Sequence, residues 1–314
     1  MRVGQKSHVG GGAIKSLLGG LAVICALMLG CTPIRAQAPA RPGRIVALDW
    51  TAASMLISLG VRPVGVADVD LYRLWVREPE IPAGVPDVGL RNAPNLEILA
   101  GLKPDLLLVS PLGAATRPIL DKIAPTQEVS IYTMGTDPFT GAGEQLMALG
   151  TSLGRDQQAL SVIATAELTL ASLRRQLRAH PQSRFLIIQF LDGRFVRVYG
   201  QSSLFGSVLN RLGLANAWMA RTNAWGFSLV GIERLAAFPD ADILVIDPTP
   251  ADVKLAPDPR SLWGNLPAVR AGRVHHLAAA WPFGELQAAE RFARLLVENL
   301  AVQGSNAEHT HDGP

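Results

Sequence analysis

The run QQALSVIATAELTLASLRRQLRA, Gln157 to Ala179, decides how this chain is organised. Leu160, Ile163, Ala166, Leu170, Leu173 and Leu177 recur at three- and four-residue steps, the spacing of one helical face. Arg174, Arg175 and Arg178 crowd the last turns, where cations suit the helix dipole. His180-Pro181 ends the run, because the residue before a proline is driven out of the helical region. At 1.5 Å per residue the helix would span roughly 34 Å, about the width of a small domain. It divides the rest of the chain into two halves of similar size. Either it is one more core helix of a single α/β domain, or it is a rigid strut between two lobes. The halves themselves favour the strut.

Outward from the helix on the N-terminal side, Ile45–Leu48, Val64–Ala67, Leu106–Val109 and Val129–Tyr132 read as short apolar strands. Helices are expected over Ala52–Leu59, Asn95–Leu102 and Arg117–Ile123, and a proline-rich loop holds Tyr72, Trp75 and Arg77. On the C-terminal side strands are expected at Phe185–Phe190, Phe195–Tyr199, Ile243–Ile246 and Val274–Leu277, the first two joined by a hairpin at Asp192-Gly193. Helices fall over Leu204–Leu212, Glu233–Phe238 and Leu286–Leu300. Alternating elements of this size predict mainly parallel sheets. The halves also repeat each other. Leu96-Glu97-Ile98-Leu99-Ala100 precedes Pro104-Asp105-Leu106-Leu107-Leu108-Val109-Ser110-Pro111, and Ile232-Glu233-Arg234-Leu235-Ala236 precedes Ala241-Asp242-Ile243-Leu244-Val245-Ile246-Asp247-Pro248. Val88-Gly89-Leu90-Arg91 stands opposite Trp225-Gly226-Phe227-Ser228. The predicted architecture is therefore two similar α/β lobes, 39–153 and 181–302, joined by a linking helix at 154–180, with a cleft between the lobes. A polar tail from 303, carrying His309 and His311, is read as disordered.

Residues 1–38 form a separate unit. They hold no acid, carry Arg2, Lys6, Lys15 and Arg35, and contain an apolar run from Leu17 to Leu29 too short for a membrane span. This is the pattern of a secretory signal peptide. Cleavage after Ala36 or Ala40 is one outcome; the weak lipobox Leu29-Gly30-Cys31 offers another, a lipid anchor on Cys31. The 29 basic and 26 acidic side chains give +3, and without the four basic residues of the leader this becomes −1. No basic patch for nucleic acid remains. Both cysteines, Cys25 and Cys31, lie in the leader or at its edge. A chain of this size has core enough to fold without disulfides in an oxidising compartment.

Catalytic motifs are scarce. Gly150-Thr151-Ser152-Leu153-Gly154 fits the spacing of a nucleophile elbow, but that motif needs a strand before the serine. Here a helical stretch precedes it, which places Ser152 in a link between helices and leaves a serine hydrolase as a weak reading. His275-His276 sits in a strand, where alternation sends the two rings to opposite faces and suits a metal badly. With three tyrosines in the chain, no Tyr, His and carboxylate cluster stands ready for bare ferric iron. The aromatics carry more. Trp75, Trp225 and Trp281 fall in predicted loops, with Trp218 close by in sequence and Arg91 beside the first repeat. Loop tryptophans often cap a core. Three of them with a cation predict an aromatic cleft for a bulky, partly apolar ligand with outward-facing oxygens.

Arg44–Trp50, Tyr72–Val76, Asp87–Arg91, Pro94–Glu97, Ser203–Phe205, Asn216–Trp218, Thr222–Gly226, Val269–Arg273 and Ala280–Gly284 together resemble the periplasmic ferric-hydroxamate siderophore binding proteins of the FhuD type. The resemblance spans about residues 44–300. It implies a class III solute-binding protein in the periplasm, monomeric and non-enzymatic. Such a protein captures a ferric siderophore and passes it to the inner-membrane permease of an ABC importer. No cofactor is implied, because the iron arrives already chelated. By resemblance Arg91 bonds the hydroxamate oxygens, while Trp225 and Trp281 pack on the ligand with Trp75 nearby; Trp218 and Phe283 complete the expected ligand residues. Glu97 and Glu233 match the acids that dock such proteins on their transporter. Two positions depart from the family pattern. Gly113 aligns with a cleft tyrosine, and Phe283 lacks a second aromatic's hydroxyl. A binding protein for cobalamin or haem is the alternative within the class.

Overall fold

The computed structural model describes residues 41–177 and 184–309, with side chains described as far as Ala301. The predicted leader, its cysteines, the His180-Pro181 stop and residues 310–314 lie outside the described residues. The first half runs β1 (Ile45–Ala47), α1 (Trp50–Ser58), β2 (Gly65–Val66), α2 (Val69–Trp75), β3 (Gly89–Leu90), β4 (Ala93–Pro94), α3 (Leu96–Leu102), β5 (Leu106–Val109), α4 (Arg117–Leu120) and β6 (Thr126–Glu128). Its main sheet has the order β2-β1-β5-β6, parallel throughout. A helical pair follows, α5 (Pro138–Leu153) and α6 (Asp156–Gln176). The second half runs β7 (Arg184–Phe190), β8 (Phe195–Tyr199), α7 (Leu204–Leu212), β9 (Ala215–Asn216), β10 (Phe227–Gly231), β11 (Asp242–Ile246), α8 (Pro267–Arg270), β12 (Val274–Leu277) and α9 (Leu286–His309). Its sheet has the order β10-β8-β7-β11-β12, with β9 also on β7.

The repeat is real and longer than its sequence signature. β1-α1-β2 corresponds to β7-α7-β9, each a parallel pair with a crossover helix. The segment α3-β5-α4-β6 corresponds to the short 3₁₀ turn Ile232–Ala237 followed by β11-α8-β12. The second half differs by two strands, β8 and β10, which pair antiparallel beside β7.

Helix α6 forms as its periodicity predicts. Ala166, Leu170 and Leu173 are buried, with Leu177 just beyond. Leu160 departs from the stripe and is 51% exposed. Ala159 faces inward instead, because α5 comes close at Gly150, where an added Cβ would lie 2.8 Å from the Ala159 Cβ. A leucine does not fit that crossing. The helix is no bare strut either. It packs on α5, α7 and α9. Its buried residues share one apolar cluster with the inner faces of both sheets, while the outer faces keep clusters of their own.

Three local expectations shift. Trp75 ends helix α2 rather than lying in a loop. Tyr72 of that helix is fully buried and donates its hydroxyl to the Pro79 carbonyl at 2.7 Å. The strand expected at Val129–Tyr132 lies at Thr126–Glu128. Val129 and Ile131 are apolar because they bury beyond the strand end. The closing helix α9 continues to His309, into the stretch read as a loose tail.

Candidate ligand-binding cleft

Arg91 leaves the β3-β4 hairpin at a position fixed by its backbone. Its N–H donates to Asp68 Oδ2 at 3.0 Å, and its Nε reaches the same oxygen at 3.4 Å. Asp87, the acid nearest in sequence, is occupied elsewhere, accepting from the Val69 and Gly89 N–H groups at 2.8 and 2.7 Å. The Arg91 guanidinium lies over the face of Trp50, 3.5 Å from the ring centroid, and 5.6 Å from Trp281. Stacked and tethered at one edge, it is held in one pose. Asp49 adjoins this group and caps α1 by accepting from the Thr51 N–H at 2.8 Å. Burial pushes the Asp49 carboxyl above its ordinary range, and the Arg91 charge pulls against that shift.

Aromatic rings from both halves continue the wall. Trp281 is buried with its ring 4.8 Å from Trp50, 6.1 Å from Trp75 and 5.1 Å from Phe283, all edge to face. Phe283 also meets Tyr132 at 6.0 Å and Trp225 at 5.7 Å. The Tyr132 hydroxyl accepts from the Leu204 N–H at 3.1 Å and donates to the Pro282 carbonyl at 2.8 Å. Burial raises the pKa of this phenol, so it stays protonated and tied between the halves. The result is a cleft of about 460 Å³, lined mostly by carbon, with Arg91, Arg197, Asp49, Ser110 and Ser130 as polar points.

Five of the six predicted ligand residues therefore meet: Trp75, Arg91, Trp225, Trp281 and Phe283. Trp218 does not. It is 3% exposed, stacks on Phe238 and donates its indole N–H to Ser228 Oγ at 3.1 Å. Asn216 turns it inward, accepting from the Trp218 N–H at 2.8 Å while donating to the Tyr199 carbonyl at 2.9 Å. Gly113 also stays out of the cleft. It is buried in the turn Pro111–Gly113, and Leu112, 75% exposed, faces the cleft instead. Among the described residues the cleft holds two cations rather than one. The second, Arg197, was masked by its place in a strand, although the alternation of β8 marks Val196 and Val198 as the buried face. Trp50, Tyr132 and Phe227 were missed because each also serves the core or the sheet.

Glu97 and Glu233 lie outside the cleft, exposed, each in the first turn of a repeated helical segment. Leu90, Leu96 and Ile98 are exposed around the first. Ser152 stands in the last turn of α5 and donates to the Leu149 carbonyl at 2.8 Å, which is a helix terminus and not a strand-to-helix elbow. His275 is buried with Nδ1 2.7 Å from Asn299 Oδ1, and His276 points to solvent.

Two α/β halves of repeated topology, braced by packed helices and sharing a shallow aromatic cleft, define a solute-binding protein. The chain belongs to the periplasmic binding protein family, whose model matches residues 45–280. It is 36% identical over 255 residues to the iron(3+)-hydroxamate-binding protein FhuD of Escherichia coli, covering 81% of this chain and 86% of that one. The siderophore binding protein FhuD of Vibrio cholerae, solved with Fe3+–Desferal bound, superposes with a TM-score of 0.77 at 26% identity. That match covers 82% of this chain and 97% of the other. The probable siderophore-binding lipoprotein YfiY of Bacillus subtilis is 27% identical over 259 residues, 76% of each chain.

Proposed function

We propose that this protein captures ferric hydroxamate-type siderophores in the periplasm and hands them to the permease of an ABC importer for iron uptake. The observation that carries the reading is Arg91, fixed over Trp50 and lining a cleft walled by aromatic rings. Three hydroxamates fill the coordination sphere of ferric iron and leave oxygens with partial negative charge outward. A guanidinium fork bonds such oxygens, and indole and phenyl faces cover the organic backbone. The iron is cargo in this reading, the protein contributes no cofactor and performs no reaction, and a monomer suffices. The likeness to FhuD of Escherichia coli supports the ligand class.

Docking is assigned to Glu97 and Glu233, one acid on each half at equivalent places in the repeat. The leader would bring the chain to the periplasm, either free or held by a lipid on Cys31. Titration of intrinsic tryptophan fluorescence with ferrichrome, ferrioxamine, cobalamin and haem tests the ligand class. Saturable quenching by the two hydroxamates, with none by cobalamin or haem, is the expected result. Quenching by cobalamin or haem alone would remove the hydroxamate reading.

A further inference from the structure

The two cations of the cleft are not equivalent. Arg91 is paired with Asp68 at 3.4 Å, so its charge is compensated before any ligand arrives. Arg197 comes from the other half, on β8, and among the described residues it forms no ion pair. Its polar contact is a long one, 3.4 Å from Nη1 to Gln189 Oε1, and that oxygen is already shared with the Tyr199 hydroxyl at 3.0 Å. The guanidinium lies 5.3 Å from the Phe227 ring centroid, which holds its direction without neutralising it. Among the described residues Asp49 is the single acid along the cleft wall, and it is occupied at the α1 cap next to Arg91. One side of the cleft thus presents a half-buried, uncompensated positive charge over an aromatic face.

From this asymmetry we infer that Arg197 is a specificity residue that favours ferric hydroxamates carrying a free carboxylate outside the iron-binding groups. The inference rests on the proposed hydroxamate function and deepens it. Arg91 reads the oxygens around the iron, which every hydroxamate offers. Arg197 reads the net charge of the part that differs between siderophores. A neutral ligand leaves it hydrated, a cationic tail is repelled, and a carboxylate meets a planar fork of donors.

A tail series on one iron centre separates the two roles. Ferrioxamine B carries a free amine and is cationic; acetylation of that amine makes it neutral, and succinylation makes it anionic. Fluorescence titration of the full chain should rank succinyl above acetyl above amine, with about three- to tenfold between succinyl and acetyl at low salt. The gap should narrow as salt rises. In Arg197→Gln the three affinities should converge to within about twofold, whereas Arg197→Lys keeps the order because the charge remains. Arg91→Ala should weaken all three together. Melting curves of the Arg197 variants check that the fold is intact. Equal binding of the three forms by the unaltered protein, or an unchanged ranking in Arg197→Gln, would overturn the role of Arg197 and leave the hydroxamate reading standing. Failure of all three forms to bind would overturn the hydroxamate reading, and the role of Arg197 with it.

Discussion

The first half of the molecule holds a purely parallel four-stranded sheet, and the second holds a mixed sheet enlarged by β8 and β10. The shared elements form the frame: parallel strands, crossover helices and the two exposed glutamates. The segments between and beside these frame elements build much of the cleft. In the first half, Trp75 and Arg91 come from α2 and the β3-β4 hairpin, between β2 and α3. In the second, Arg197 and Phe227 come from the added strands, with Trp225 just before β10. A duplicated scaffold thus gives the cleft two unlike walls, and the residues proposed to read the ligand lie where the halves differ most.

The comparison can be broken most sharply at its symmetric points. Reversing Glu97 or Glu233 to Arg should abolish siderophore-dependent growth in either case, with ligand affinity nearly unchanged by titration. A normal growth rate for one of the two variants would mean that the halves do not dock equivalently. The next largest effect concerns a matched pair of glycines. Gly89 and Gly226 stand at equivalent places, both with positive φ, 90° and 75°. A Cβ on Gly226 would lie 2.5 Å from the Ser203 Cα, and one on Gly89 would lie 3.0 Å from the Asn95 nitrogen. Gly226→Ala should therefore cost about 2–4 kcal/mol and Gly89→Ala about 1–2 kcal/mol, read from denaturant melts. Equal losses would show that the two turns are under the same constraint.

Affinity effects sharpen the difference between the walls. Arg91→Ala should weaken ferric hydroxamate binding about tenfold to a hundredfold, since hydrogen bonds to charged groups are worth about 1.5–3 kcal/mol. Arg91→Lys should recover part of that, because an ammonium lacks the fork. A lowered melting temperature with unchanged affinity in Arg91→Ala would mean that Arg91 serves only Asp68 and the hairpin. Trp225→Ala should weaken binding by about tenfold through lost apolar contact. Leu112→Ala, at an exposed rim, should stay within about threefold. Scattering profiles should change least of all on ligand binding, because α6 is packed along its length and has no proline or glycine between Asp156 and Gln176.

The frame was legible because periodicity and repetition are local signals. The α6 stripe and the repeated Leu-Ala…Asp-(Leu/Ile)-Leu pattern follow from which faces must be buried. Leu160 misled because a helix face is chosen by the neighbour it meets, here Gly150, and that crossing is nowhere in the local pattern. The cleft was half legible. Tryptophans in and beside predicted loops stood out, but Trp218 carries the same signal and spends its ring on the core, on the instruction of Asn216. Leu112 and Gly113 differ by one position in a tight turn, and alignment by sequence cannot tell which of two neighbours faces outward. Arg197 lies in an insertion that the repeat does not cover, so the internal comparison had no partner for it.

The bonds that join the two ends of the chain carry a consequence for assembly. Glu285, fully buried ahead of α9, accepts from the hydroxyls of Ser54 and Ser58 at 2.7 and 3.1 Å, and Thr51 donates to the Phe283 carbonyl at 2.6 Å. These partners are 231, 227 and 232 residues apart. The first helix of the fold therefore waits for the last before its polar groups are satisfied. Loops that long close slowly, and a fold built on them sets late. A ribosome releases nearly the whole polypeptide before this knot of contacts can be tied. A chain that ends before Glu285 leaves the Ser54 and Ser58 hydroxyls to bond water instead.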